Sequence, residues 1–78
     1  MAKHELNYRG LACPMPIVKI SIEMKKAAPG DVFEAVSDEA GFEPDIIAWC
    51  RDTGNILESV TKSGRDITAR IVKSSNAD

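Results

Sequence analysis

Cysteine and histidine are scarce in this chain, which has two cysteines and one histidine among its 78 residues. Two cysteines are too few for a disulfide-linked scaffold and too few for a zinc site with four cysteine ligands. The single histidine, His4, lies near the amino terminus, so a histidine-based triad or metal site is not expected. The residues with the most informative chemistry are therefore the two thiols, Cys13 and Cys50.

Long apolar runs are absent and aromatic residues are few, at 5% of the sequence. No run approaches the length of a membrane span, and the first ten residues lack the apolar core of a signal peptide. A protein that binds nucleic acid would need a denser basic patch and more aromatic side chains. We therefore expect a cytoplasmic protein with free thiols, no membrane association and no direct contact with nucleic acid.

The net charge of −2 is unevenly distributed along the chain. Residues 1–26, which include Cys13, carry five basic and two acidic side chains, whereas residues 27–58 carry one basic and eight acidic ones. Scattered charges of this kind usually form a solvated surface. The alternative is a mildly electropositive environment for a thiolate or an anionic partner near Cys13.

Hydrophobic periodicity predicts the element order β-α-β-α-β-β. The predicted elements are a strand over 4–8, a helix from about residue 17 to 28, a strand over 31–37, a helix over 44–53 that starts at Pro44 and stops at Gly54, and two strands within 55–74 around a turn at 62–65. Right-handed crossovers place both helices on one face of the sheet. The expected fold is α+β, a two-layer α/β sandwich with a four-stranded mixed sheet, in one domain of residues 1–78 with an ordered core over about 5–73. The tail, residues 74–78, is expected to be disordered.

Cys13 stands at the start of the first helix in the segment LACPMPIVKI. Pro14 pushes Cys13 out of the helical region, which gives the backbone conformation expected of an N-cap. Pro16 disfavours helical geometry at Met15, so either the first turn is irregular or the regular helix begins at Pro16. In both cases Cys13 lies at or just before the amino-terminal end of the helix. The N–H groups of Met15 and Ile17 are then the predicted donors to a sulfur anion. A helix amino terminus also favours a thiolate, so a lowered pKa and a nucleophilic role are predicted for Cys13. The alternative from the residues alone is a small apolar side chain that closes the turn.

Cys50 falls on the apolar face of the second predicted helix, beside Ile46 and Trp49. We therefore interpret Cys50 as core filling and Trp49 as a packing residue. A candidate surface for partner docking surrounds the first helix. Its members are Arg9, Met15, Val18, Lys19, Ile22 and Lys26. Val18 and Ile22 could instead widen the core face of that helix, and the pattern slightly favours this second interpretation.

These features together resemble the TusA/SirA-like family of small sulfur-carrier proteins over about residues 6–73. The similar segments are LACPMPIVKI, which contains the C-P-x-P motif, APGD before the second strand, DIIAWCRDTGN in the second helix, and the final hairpin. Many relatives have Gly-His where this chain has Gly54 and Asn55.

The resemblance implies that Cys13 carries sulfane sulfur as a persulfide, with Pro14 and Pro16 as supporting residues and no other cofactor and no metal. It implies a sulfur donor, either a cysteine desulfurase or a rhodanese-like protein, and a DsrE-like acceptor, in a relay that serves tRNA thiolation or sulfur oxidation. The alternative is a regulatory or protein-interaction module whose cysteine is structural.

Overall fold

The chain alternates strands and helices in the order predicted from its sequence. A computed structural model describes residues 2–74. Its elements are β1 (Lys3–Asn7), α1 (Met15–Lys26), β2 (Val32–Ser37), α2 (Phe42–Thr53), β3 (Ile56–Ser63) and β4 (Asp66–Val72). Of the tail expected to be disordered, residues 75–78 lie outside the described residues. Ser74 is described, and its backbone N–H donates to Asn55 Oδ1 at 3.1 Å.

The four strands form one mixed sheet in the order β1-β2-β4-β3. β1 is parallel to β2, and β4 is antiparallel to both of its neighbours. One sheet face is buried, because alternate residues of β2 and β4 join a single core with residues of both helices. These buried residues are Phe33, Ala35, Ile67, Ala69 and Ile71 from the sheet, Ile20 and Met24 from α1, and Phe42, Ile46 and Cys50 from α2. The predicted two-layer α+β architecture is confirmed.

The opposite face of the sheet carries charged side chains in place of a second helical layer. Glu34 lies in its middle and pairs with Lys3 at 3.2 Å and with Arg70 at 2.7 Å. Arg70 also reaches Glu58 at 2.8 Å. This charged face is distinct from the helical layer, in which Cys13 lies beside the two helices.

Both helices begin earlier than their prolines suggested. α1 begins at Met15, before the predicted start at Pro16 or Ile17, and α2 begins at Phe42, so Pro44 is its third residue instead of its first. The first four N–H groups of a helix have no partner within the helix, so a proline costs no hydrogen bond in the first turn. Gly54 ends α2 with φ 83°, a left-handed conformation that glycine adopts without strain, as predicted.

Asp31 ties the start of β2 to the amino-terminal strand. It is buried, and its carboxylate accepts from the backbone N–H of Ala2 at 3.0 Å and of Ala28 at 3.3 Å, and contacts His4 Nε2 at 3.1 Å. The bond from Ala2 is the largest cause of a lowered pKa at Asp31, followed by the bond from His4.

A lowered folded-state pKa gives a definite acid dependence of stability. The contribution of Asp31 to the free energy of unfolding is fully present above its unfolded pKa of about 3.9. It is lost as the pH falls through the lower folded-state pKa. We expect the free energy of unfolding of Asp31→Asn to fall less steeply with decreasing pH than that of wild type, as measured by urea unfolding between about pH 5 and 2. An equal dependence of the free energy of unfolding on pH in the variant and in wild type would contradict this assignment.

Candidate functional site

The loop between β1 and α1 turns the chain back so that Cys13 lies at the start of the helix. Tyr8 still belongs to the sheet edge, since its N–H donates to Val36 O at 2.8 Å. Gly10 then adopts φ 82°, and its N–H donates to Asp38 Oδ1 at 2.9 Å. The loop is thus held to the end of β2, and Cys13 follows three residues later on the surface.

The start of α1 differs from the predicted cap. Pro14 is the N-cap residue, the Cys13–Pro14 peptide bond is cis, and Cys13 lies one position before the N-cap, which agrees with its predicted place at or just before the helix start. The Met15 N–H donates to Ala12 O at 2.9 Å, and the Ile17 N–H donates to Pro14 O at 3.1 Å. Both predicted donors to the sulfur are therefore already used by backbone carbonyls, and this part of the prediction is wrong.

The direct partner of the Cys13 thiol is a carboxylate. Cys13 Sγ donates to Asp45 Oδ2 at 2.7 Å, and Asp45 lies in the first turn of α2. The two residues line an open groove between the helices. Its other lining residues are Pro14, Ile17, Ala48, Trp49 and Asp52.

This environment raises the pKa of Cys13, whereas the sequence predicted a lowered value. The largest cause is the hydrogen bond to Asp45, followed by partial burial and by the negative charges of Asp45 and Glu39. A carboxylate beside a thiol disfavours the thiolate, because both would then carry negative charge. The setting of Cys13 is thus acidic, and the electropositive alternative is wrong at the sulfur itself.

The two prolines of the motif have different environments. Pro14 is exposed and lines the groove with Cys13, whereas Pro16, the second residue of α1, is fully buried. Pro16 therefore anchors the helix start in the core, while Pro14 shapes the accessible surface.

The predicted docking residues do not form one patch around Cys13. Arg9 makes a two-bond contact with Asp66, from Nε at 3.0 Å and from the terminal nitrogen at 2.8 Å, and lines a groove on the charged sheet face. Lys19 lines another groove, beside Leu6 and Tyr8. Lys26 ends α1, about 16 Å along the axis from its first residue.

The apolar members of the docking set do lie on the surface. Met15, Val18 and Ile22 are 42%, 43% and 50% exposed. Their spacing of three and four residues places them in one strip of the helix. The interpretation of Val18 and Ile22 as core residues is therefore wrong, and docking by this strip stays a prediction.

Asp45, Asp52 and Trp49 are groove residues that the sequence did not identify as functional. The predicted packing role of Trp49 fits its position against the core, and Asp45 lies in the first turn of α2, where a carboxylate complements the helix dipole. Their proximity to Cys13 depends on how α2 packs beside α1, since Asp45 is 32 residues away in sequence. No local sequence pattern predicts the contact between Asp45 and Cys13.

Cys50 has the opposite environment from Cys13. It is 3% exposed in the core, and burial raises the pKa of Cys50 to about 11. Both cysteines are free thiols. The interpretation of Cys50 as core filling is confirmed.

Cys50→Ser is expected to lower the free energy of unfolding while leaving the reactions of Cys13 intact. A hydroxyl placed in this apolar site without a partner costs about 1–3 kcal/mol. Urea unfolding of the variant beside Cys50→Ala separates the polar penalty from the effect of side-chain size. Equal stabilities of Cys50→Ser and wild type would contradict the assigned environment.

Metal-binding clusters and membrane-spanning helices are both absent from the part of the chain that the structure describes. Within residues 2–74, no group of three His, Cys, Asp or Glu side chains converges in a way that could hold a metal ion. Neither described helix has the length and apolar character needed to cross a membrane.

The fold and the site together define the class of this protein. It is a small α+β domain with an exposed cysteine between its first strand and a proline-capped helix. Residues 4–73 match the family described as Sulfurtransferase TusA. The chain belongs to this family, which confirms the resemblance inferred from its motifs.

Individual relatives have sulfur-carrier names. The chain is 42% identical over 72 residues to a "Putative sulfur carrier protein" of Aquifex aeolicus, which covers 92% of the chain and 36% of that relative. It is 36% identical over 59 residues to the "Putative sulfur carrier protein YrkI" of Bacillus subtilis, covering 76% of the chain and 79% of the relative. It is 31% identical over 62 residues to the "Sulfur carrier protein TusA" of Allochromatium vinosum, covering 78% and 82%.

The lengths of these relatives differ. The chain spans about a third of the Aquifex protein, but about four-fifths of YrkI and of the Allochromatium protein. The TusA-like domain therefore occurs both as most of a protein and as part of a longer one.

Proposed function

We propose that this chain is a sulfur carrier that accepts sulfane sulfur on Cys13 as a persulfide and passes it to a partner protein. The single observation that carries the proposal is the contrast between the two thiols, since Cys13 is exposed beside an open groove and Cys50 is buried. Membership of the TusA family supports the same role.

The proposed transfer has two balanced steps. The Cys13 thiolate attacks the terminal sulfur of a donor persulfide, a new S–S bond forms at Cys13, and the donor's own S–S bond breaks. The inner sulfur of the donor persulfide leaves as a thiolate and takes up a proton, so there is no net oxidation. In the second step an acceptor thiolate attacks the terminal sulfur on Cys13 in the same way, and Cys13 returns to the thiol.

The partners in this proposal are proteins. The donor is a cysteine desulfurase or a rhodanese-like protein and the acceptor is DsrE-like, in a relay for tRNA thiolation or for sulfur oxidation in the cytoplasm. The sulfur atom is cargo held by a covalent bond on Cys13, and the steps invoke neither a cofactor, a metal nor contact with nucleic acid.

Intact-mass analysis tests the proposal. The chain is incubated with a cysteine desulfurase and cysteine, and separately with a rhodanese and thiosulfate, with each enzyme omitted in a control. At least one complete mixture should add the mass of one sulfur atom, which a thiol reductant removes. If neither mixture adds sulfur, the regulatory or interaction module becomes the better description.

A further inference from the structure

The groove beside Cys13 combines an apolar floor with an acidic rim. Ile17, Ala48 and Trp49 supply apolar surface, while Asp45 and Asp52 supply carboxylates. None of the described residues that line this groove is basic. Arg51 contacts Asp52 at 3.4 Å, but both side chains are more than 70% exposed, so this pair is weak.

One carboxylate of that rim, Asp45, holds the thiol in its protonated and unreactive form. Cys13 Sγ donates to Asp45 Oδ2 at 2.7 Å, and the charge of Glu39 adds to the effect of Asp45. The thiolate is the nucleophile in sulfur exchange. An approaching anion, such as a persulfide, meets the same negative charges.

A positive group placed against Asp45 would remove both obstacles. It would pair with the Asp45 carboxylate, weaken the hydrogen bond that keeps Cys13 protonated, and offset the repulsion of an anionic sulfur. Surrounding apolar surface would let such a pair form with less water around it.

We infer that the Cys13 groove binds a partner that presents a Lys or Arg side chain beside its reactive sulfur, and that this cation engages Asp45 and so releases the Cys13 thiolate. Asp45 is then a positioning residue that makes the reactivity of Cys13 depend on the partner. The inference rests on the proposed function only for the partner's sulfur chemistry, because the charge preference belongs to the groove itself.

The proton and electron pairs balance in this scheme. The cation occupies Asp45 Oδ2, the Cys13 proton passes to solvent, and Sγ forms a bond to the partner's terminal sulfur. The partner's S–S bond breaks, its electron pair leaves with the inner sulfur as a thiolate, and that thiolate takes a proton from solvent. Nothing is oxidised or reduced overall.

Three small disulfides of different charge test the groove without any sulfur-carrier protein. They are cystamine, which is cationic, 2-hydroxyethyl disulfide, which is neutral, and 3,3′-dithiodipropionate, which is anionic. The rate of mixed-disulfide formation at Cys13 is measured by peptide mass at low ionic strength and constant pH. Each rate is divided by that of the same reagent with the neutral thiol 2-mercaptoethanol, because the three leaving thiols differ in pKa and hence in intrinsic reactivity. We expect the cationic reagent to exceed the neutral one by roughly fivefold, and the neutral to exceed the anionic one, from the energy of one nearby charge in water.

Asp45→Asn should remove most of this preference. It should also shift the pH profile of Cys13 alkylation to lower pH, a change that a purely structural residue would not cause. Asp52→Asn alters an exposed carboxylate on the same rim and should reduce the preference partially, so the test survives if Asp45→Asn folds poorly. Glu5→Gln makes the same charge change on the charged sheet face and should leave the preference intact.

The outcomes separate the two proposals. Equal normalised rates for the three reagents in wild type, or a loss of preference in Glu5→Gln as large as in Asp45→Asn, would overturn the cation inference. Sulfur loading plays no part in these rates. A chain that prefers the cation but never gains sulfur would therefore contradict the carrier role alone.

Discussion

Cys13→Ser is expected to abolish sulfur loading with every donor, because the proposed nucleophile and sulfur-binding atom is Cys13 Sγ. The hydroxyl of serine cannot form the S–S bond of a persulfide, yet it can still donate to the Asp45 carboxylate that the thiol contacts. Cys13 is also exposed, so its replacement should change the free energy of unfolding by no more than about 0.5 kcal/mol. The variant should therefore be folded and inactive.

Cys50→Ser is the matched control for this experiment, since it makes the same chemical change at the buried thiol. Loading rates are measured by intact mass under identical donor concentrations, and folding is checked by circular dichroism. The control should load at close to the wild-type rate. Normal loading of Cys13→Ser would show that Cys13 is not the sulfur-carrying residue.

Phe33→Ala is expected to cause the largest loss of stability. Phe33 is fully buried on the core face of β2, where its strand partners are His4 in β1 and Ile71 in β4. Its ring also stacks on His4 with centroids 4.4 Å apart. Truncation of such a residue removes apolar burial and leaves a cavity, at a cost of about 3–5 kcal/mol.

That cost is large for a domain of this size, whose total stability is roughly 4–12 kcal/mol by the usual value per residue. Val32→Ala is the control, because Val32 is the adjacent residue on the other face of β2 and is only half-buried. Urea unfolding followed by circular dichroism should show a far larger loss for Phe33→Ala. Equal losses would mean that the core does not lie on the assigned face of the sheet.

The fold was predictable because local sequence patterns indicate which residues are buried and where the elements end. Phe33 and Ala35 alternate with partly exposed neighbours, as a strand with one buried face requires. Gly54 marks the end of α2, and Gly64 provides the positive φ of 60° in the final hairpin. Helix starts were less predictable, because Pro44 fits any position of the first turn.

The site was predictable only in part. Cys13 was identified from the adjacent prolines, and the different character of Cys50 followed from its helical neighbours. The direction of the pKa shift at Cys13 was not predictable, because Asp45 reaches the sulfur through the packing of two helices. The exposure of Val18 and Ile22 was likewise not predictable, because it depends on which side of α1 packs against the sheet.

Site mapping of the loaded protein tests the central claim most directly. The chain is loaded from the donor that adds sulfur, its thiols and persulfides are alkylated, and the digested peptides are sequenced by mass spectrometry before and after addition of a DsrE-like acceptor. The account predicts one additional sulfur atom on the Cys13 peptide, none on the Cys50 peptide, and its disappearance from Cys13 as the acceptor gains sulfur. Additional sulfur on Cys50, or sulfur on Cys13 that no acceptor removes, would contradict it.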